Sequence, residues 1–215
     1  MKQEINTDNG IYSFEEVELF LGRKILNPEH CKNNLLDYKK VMDKHEIRYG
    51  LMFGTLLGAI REGGFIPWDE DVDVFSLEED RKKMLNALFD FEEYGFKVAR
   101  YRENKKGHFL LSLIRDDDYI DTYFYKKNLN QRVYGDNGIA AKYLNDTETI
   151  DLFDEKFPVP INPKEVLTIL YGENWHIPDK EGKPINYTRE RKIKDFFIEN
   201  FSSTYKFTKM ILGKG

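Results

Sequence analysis

Between Phe53 and Phe75 the chain reads FGTLLGAIREGGFIPWDEDVDVF, which sets Asp69, Asp71 and Asp73 at alternate positions. Strand side chains alternate between faces, so Asp71 and Asp73 are expected on one side, about 7 Å apart along the chain. Val72, Val74 and Phe75 around them require a core. Two carboxylates on an otherwise buried strand repel each other and are costly to desolvate. A divalent cation resolves that conflict, and hard oxygen ligands favour magnesium or manganese over zinc. Asp69 shares the parity and can add a ligand or an outer contact. A calcium loop is excluded, because Val74 and Asp80 stand where such a loop needs Gly and Glu.

Upstream, Gly54-Thr55 precedes an expected helix start, where free backbone N–H groups and the helix dipole can hold a phosphate. Glycine lets the backbone approach closely, and Thr55 offers a hydroxyl. Downstream, Asp121 lies in DYIDTYFY, an acid in mid-strand between large apolar residues. Metal-assisted phosphoryl transfer accounts for all of these positions. Metal ions clamp the attacking and leaving oxygens, and a third carboxylate helps hold a metal and takes the nucleophile's proton. Arg61 can pair with a donor phosphate or with one of the acids. Trp68 can stack on a base or ring, or pack beneath the site.

These residues need a scaffold, and its pattern mixes periods. Ser13 and Glu16 have capping-box spacing, which predicts a first short helix. Asn27 and Pro28 predict the start of a second, with Cys31, Leu35, Tyr38 and Met42 on its buried face. Ile47 to Phe53 reads as a strand, Leu56 to Arg61 as a short helix, and Asp71 to Phe75 as the acid-bearing strand. Ser76 and Glu79 predict a helix to about Phe91. Strands are expected over Phe96 to Tyr101, His108 to Ile114 and Tyr119 to Tyr125, with Asp116-Asp117-Asp118 as a hairpin turn. Asn162-Pro163 starts a helix that Gly172 stops, and a helical tail is expected from Tyr187 to Leu212. The order suggests a single α+β domain over 1–215: N-terminal helices over 11–45, a catalytic core over 47–126 and a C-terminal helical part over 157–212.

Composition narrows the function further. Aromatic residues make up 14% of the 215 residues, which argues against disorder. A net charge of -5 gives no general pull toward nucleic acid. The one cysteine, Cys31, rules out an internal disulfide or a cysteine-based zinc cluster. The polar start MKQEINTDNG and the lack of a long apolar run point to a cytoplasmic protein. Membrane contact would be peripheral at most, at the inner face, through a tail with Lys206, Lys209 and Lys214. The four histidines lack metal spacing. Arg100, Arg102, Lys105, Lys106 and His108 read as a solvated basic edge rather than an acceptor groove.

GTLLGAIREGGFIPWDEDVDV resembles the signature of the LicD/fukutin family of phosphotransferases, as do YIDTY around Asp121 and FPVPINPKEVLTILYGENW further on. The resemblance implies a nucleotidyltransferase-like mixed sheet flanked by helices. It also implies Asp71 and Asp73 as magnesium ligands, Asp69 as an accessory acid, Asp121 as the third catalytic carboxylate, and Gly54-Thr55 as the donor-phosphate turn. The implied reaction moves a phosphoalcohol, such as phosphocholine or ribitol phosphate, from a CDP-activated donor to a hydroxyl of a glycan or glycolipid. CMP leaves. The alternatives are a nucleotidyltransferase releasing pyrophosphate and a non-catalytic nucleotide-binding module. With one cysteine, the zinc-binding loop of the animal fukutin-related protein has no counterpart here, and IDTYFY lacks the apolar-then-proline continuation common in the family.

Overall fold

The computed structural model describes residues 2–19, 24–103, 107–135 and 137–178. At its centre is a mixed sheet whose strands run in the order β3 (Tyr49–Leu51), β4 (Val72–Leu77), β7 (Asp118–Asn128), β6 (Phe109–Arg115) and β5 (Lys97–Glu103). β4 and β7 are parallel, and the other neighbours along this order are antiparallel. The far end of β7 pairs with β8 (Gln131–Tyr134), which pairs with β9 (Asn137–Ala140). The architecture is the mixed α+β sheet expected.

One sheet face is built against helices. α1 (Pro28–Lys44) starts as predicted: the Asn27 side chain accepts from the backbone N–H groups of Glu29 and His30, with Pro28 at the first helical position. Its apolar face buries Cys31, Leu35, Tyr38 and Met42. Burial pushes the Cys31 thiol up to about 12, so it is a core thiol and not a nucleophile. Tyr38 reaches the sheet, its hydroxyl 3.0 Å from Thr122 Oγ1 on β7, and its ring meets Phe91 of α4 (Leu88–Glu93). Because strand side chains alternate, this commits the opposite face of β7 to Tyr119, Asp121 and Tyr123.

α2 (Phe53–Arg61) follows β3 with only Met52 between, so the strand ends sooner and the helix begins earlier than the pattern suggests. Phe53 makes the turn with φ 46°, a left-handed conformation costing about 1–2 kcal/mol for a residue with a side chain. Its ring packs edge-on against Tyr123, at 5.0 Å between centroids.

Other expectations are corrected. The residues around Ser13 form no helix; β1 (Lys2–Thr7) and β2 (Gly10–Glu15) make an antiparallel hairpin. The signal was present in a period-two pattern that buries Ile5, Tyr12 and Phe14, and in the Asp8-Asn9-Gly10 turn. Ser76 is a strand residue whose hydroxyl donates to the carbonyl of Arg48, not a helix cap. The helix expected after it divides into a 3-10 turn, α3 (Arg81–Asn86) and α4. Asp116 and Asp117 make the turn at positive φ, whereas Asp118 begins β7, buried against Lys24. Before the last described helix comes a second hairpin, β10 (Thr147–Leu152) with β11 (Glu155–Pro160), so 157–160 is strand rather than helix. α5 (Pro163–Tyr171) begins and stops where Pro163 and Gly172 predict. The tail from Tyr187 to Leu212 lies outside the described residues.

Gly58 shows how tightly α2 is seated. A Cβ there would stand 2.5 Å from the carbonyl oxygen of Gly64 and 3.0 Å from the backbone nitrogen of Ile66. Replacing a helical glycine by alanine ordinarily stabilises by about 1 kcal/mol. Here Gly58→Ala is expected to destabilise, by about 1–3 kcal/mol from overpacking against backbone. Gly64→Ala, with nothing within 4 Å of the added carbon, should stay within about 0.5 kcal/mol of the parent. Urea unfolding of the two variants measures both.

Candidate active site

The register of β4 on β7 builds the site. Asp73 lies directly beside Asp121 in the parallel pair, and Asp71 stands two residues before Asp73 at the mouth of the strand. One oxygen from each of Asp71, Asp73 and Asp121 falls within 4.8 Å of the others. Asp73 and Asp121 are buried and Asp71 half-buried.

Neighbouring elements aim these carboxylates. The backbone N–H of Gly54, in the first turn of α2, donates to Asp73 Oδ2 at 3.3 Å. Thr55, 1% exposed, accepts the backbone N–H of Asp73 on its hydroxyl oxygen at 2.8 Å. Its hydroxyl therefore clamps the acid-bearing strand to the helix. Asp69 lies outside the close trio, beside Gly54: a Cβ on Gly54 would meet Asp69 Oδ2 at 2.5 Å. Any larger residue here would displace the Asp69 carboxylate. Asp69 Oδ2 is buried and, among the described residues, has no hydrogen-bond partner.

Asp121 is held from the other side. Ser112, its cross-strand partner on β6, donates its hydroxyl to Asp121 Oδ1, and Arg100 Nη2 donates to Asp121 Oδ2 at 2.6 Å. Arg100 Nε also donates to Ser112 Oγ at 3.0 Å, and the Tyr123 hydroxyl lies 3.4 Å from Asp121 Oδ2.

The electrostatics follow from this crowding. Burial raises the Asp71 carboxyl to about 7, helped by the charges of Asp121 and Asp69 and opposed by the Tyr119 hydroxyl. Burial and the same acidic neighbours push Asp73 well above the usual carboxylate range. Burial raises Asp69 to about 6, against the Glu70 backbone N–H and with a smaller push from the Glu70 charge. Burial also raises Asp121, with the Arg100 guanidinium and the Ser112 hydroxyl pulling the other way. Several buried carboxylates competing for too little positive charge, with oxygen-only donors, suit a hard divalent cation. Asp71, Asp73 and Asp121 would hold it.

Two expected site residues have other partners. Arg61 donates to Glu62 Oε1 at 2.7 Å and to the carbonyl of Trp175 at 3.1 Å, tying α2 to the segment after α5. Trp68 is half-buried and packs against the core. The reading of residues 100–108 as a solvated edge missed Arg100, whose neighbour Arg102 is indeed exposed. Ser112 and Tyr123 were missed as well. Strand parity with Asp121 marks Tyr123, but the pairing of β6 and β5 onto β7 is invisible in a single sequence.

Acids on a strand mouth, a third acid on the parallel neighbour and a helix start behind them define a nucleotidyltransferase fold. The solution structure of antibiotic-resistance factor ANT(2'')-Ia shares that fold, at TM-score 0.51 and 14% identity over 88% of this chain and 100% of that one. The family LicD/FKTN/FKRP, nucleotidyltransferase domain, matches residues 46–162, more than half of the chain. The chain belongs to this family. It is 39% identical over 69 residues to the lipopolysaccharide cholinephosphotransferase LicD of Haemophilus influenzae, covering 31% of this chain and 26% of that protein. It is 27% identical over 149 residues to the human ribitol-5-phosphate transferase FKTN, covering 66% of this chain and 32% of that protein. The chain thus spans under a third of the length of these two relatives.

The raised carboxyls make a stability prediction for metal-free protein. A folded carboxyl near 7, above an unfolded value of about 3.9, means the native state binds the extra proton. The associated stability is present below about pH 4 and declines as pH rises to about 7. Asp71→Asn removes that decline. In chelator the variant should match wild type near pH 4 and exceed it by on the order of 1 kcal/mol or more at pH 8. Saturating magnesium should raise the wild-type Tm, and more at pH 8 than at pH 5. Parallel melting profiles for the two proteins across this range would contradict the assignment.

Proposed function

We propose that this domain transfers a phosphoalcohol from a CDP-activated donor to a glycan or glycolipid hydroxyl, with magnesium, releasing CMP. The carrying observation is the close trio of Asp71, Asp73 and Asp121 on the parallel strand pair, in a chain of the LicD/FKTN/FKRP family. The names of LicD and FKTN, a cholinephosphotransferase acting on lipopolysaccharide and a ribitol-5-phosphate transferase, supply the substrate class. Among the described residues no helix is long and apolar enough to cross a membrane.

The acceptor oxygen forms a bond to the phosphorus that carries the alcohol, and the bond from that phosphorus to the CMP oxygen breaks. The hydroxyl proton goes to Asp121, the acid that the parallel neighbour strand sets beside Asp73. Bound magnesium would supply Lewis-acid stabilisation of the phosphate charge. Asp71 and Asp73 provide its seat, while Thr55 and the Gly54 N–H keep Asp73 aimed.

Incubation with magnesium and, separately, CDP-choline, CDP-ribitol and nucleoside triphosphates tests the reading through the nucleotide product. CMP together with a modified glycan supports it; pyrophosphate release would assign plain nucleotidyl transfer instead. Tight nucleotide binding without turnover would make the domain a binding module. Asp121→Asn should leave donor binding within a few-fold of wild type while lowering transfer about 10²–10⁴-fold, the usual contribution of a positioned base. Donor titration and product formation measured on the same variant check this pair of outcomes.

A further inference from the structure

β5 does not run regularly along β6. Val98 pairs with Leu113, but the next pair is Arg100 with Ser112, so Ala99 is an extra residue in the ladder. In a regular strand Ala99 would oppose Ser112, and Arg100 would point to the helix-covered face. The bulge turns Arg100 onto the face of Ser112 and Asp121, as bulges beside active sites do. Ala99 is fully buried, and its carbonyl accepts the backbone N–H of Val17, which anchors the bulge.

The redirected guanidinium bonds Asp121 Oδ2 and Ser112 Oγ through Nη2 and Nε, and its side chain remains 21% exposed. Among the described residues it is the cation bonded to the carboxylate trio. Among the described residues, its other N–H donors have no hydrogen-bond partner. A divalent cation alone leaves three ionised carboxylates with surplus negative charge, which opposes an incoming phosphate. One guanidinium removes that surplus. Its planar fork also matches two oxygens of a phosphate, which an ammonium does not.

We infer that Arg100 is a phosphate-binding residue of this site: its outward N–H donors grip non-bridging oxygens of the substrate phosphate beside Asp121. The inference rests on the proposed phosphate-transfer chemistry, but not on the identity of the nucleotide or the alcohol. The competing role is purely positioning, with Arg100 acting only to orient Asp121.

Inorganic pyrophosphate with magnesium, titrated calorimetrically into the full chain, separates the roles. Arg100→Met should weaken magnesium-dependent pyrophosphate binding by about tenfold or more, the usual effect of losing a charged hydrogen bond. Arg100→Lys should fall between the two. A several-fold loss should persist in an Asp121→Asn background, reduced only by the coupling of the bonded pair, because a phosphate contact does not act solely through Asp121. Unchanged affinity in Arg100→Met, an effect that vanishes in the Asp121→Asn background, or no magnesium-dependent pyrophosphate binding by wild type would each overturn the inference. If melting shows Arg100→Met unfolded, Arg100→Lys carries the test under the same criteria. Failure of the CDP-alcohol assay leaves this binding readout intact, so the two proposals fail separately.

Discussion

Repulsion among the carboxylates of Asp71, Asp73 and Asp121 is the interaction around which this molecule is organised. Oxygens within 4.8 Å, at an effective dielectric constant of about 20, repel by roughly 3 kcal/mol per ionised pair. That is a large fraction of the total stability of an ordinary domain, about 5–15 kcal/mol. Many contacts near the centre answer this load. The Gly54 N–H and the Thr55 hydroxyl fasten Asp73, while Ser112 and Arg100 fasten Asp121. Burial, with the charges of Asp121 and Asp69 added to it, raises the Asp71 carboxyl to about 7, so protonation relieves part of the load in metal-free protein.

The same constraint explains local features that otherwise carry a cost. Phe53 accepts a left-handed backbone so that α2 can start immediately after β3 and bring its first N–H groups to Asp73. Gly54 has no side chain because Asp69 occupies the space where one would begin. The bulge at Ala99 interrupts a ladder in order to redirect one arginine. These three features lie beside the acids.

Much of this was legible from residues alone, for stated physical reasons. Alternating acids between valines imply shared orientation on a strand, and Asp71 and Asp73 do share a site. Asn27-Pro28 and Gly172 mark helix ends through backbone chemistry that is local, and both ends fall there. What failed was either non-local or overruled by a competing local signal. Ser13 and Glu16 have the spacing of a helix cap, but alternation of Tyr12 and Phe14 with polar neighbours made a hairpin. Asp121 could be singled out as an acid among apolar residues, yet its pairing with Asp73 depends on a parallel register formed across 48 residues of chain. Arg100 was hidden because a bulge reverses the face that strand parity assigns. Arg61 was expected from its place in the sequence to pair with a donor phosphate or one of the acids, whereas its bonds to Glu62 and the Trp175 carbonyl depend on how α2 is seated.

The family relation and the fold make phosphate chemistry the natural reading, while the carboxylate trio is where that reading can be tested without knowing any substrate. Manganese substitutes for magnesium at oxygen sites and is visible by anomalous diffraction. A crystal soaked with manganese should show an anomalous peak in contact with oxygens of Asp71, Asp73 and Asp121. Manganese bound only elsewhere, with the three carboxylates well ordered and facing one another without it, would contradict the account.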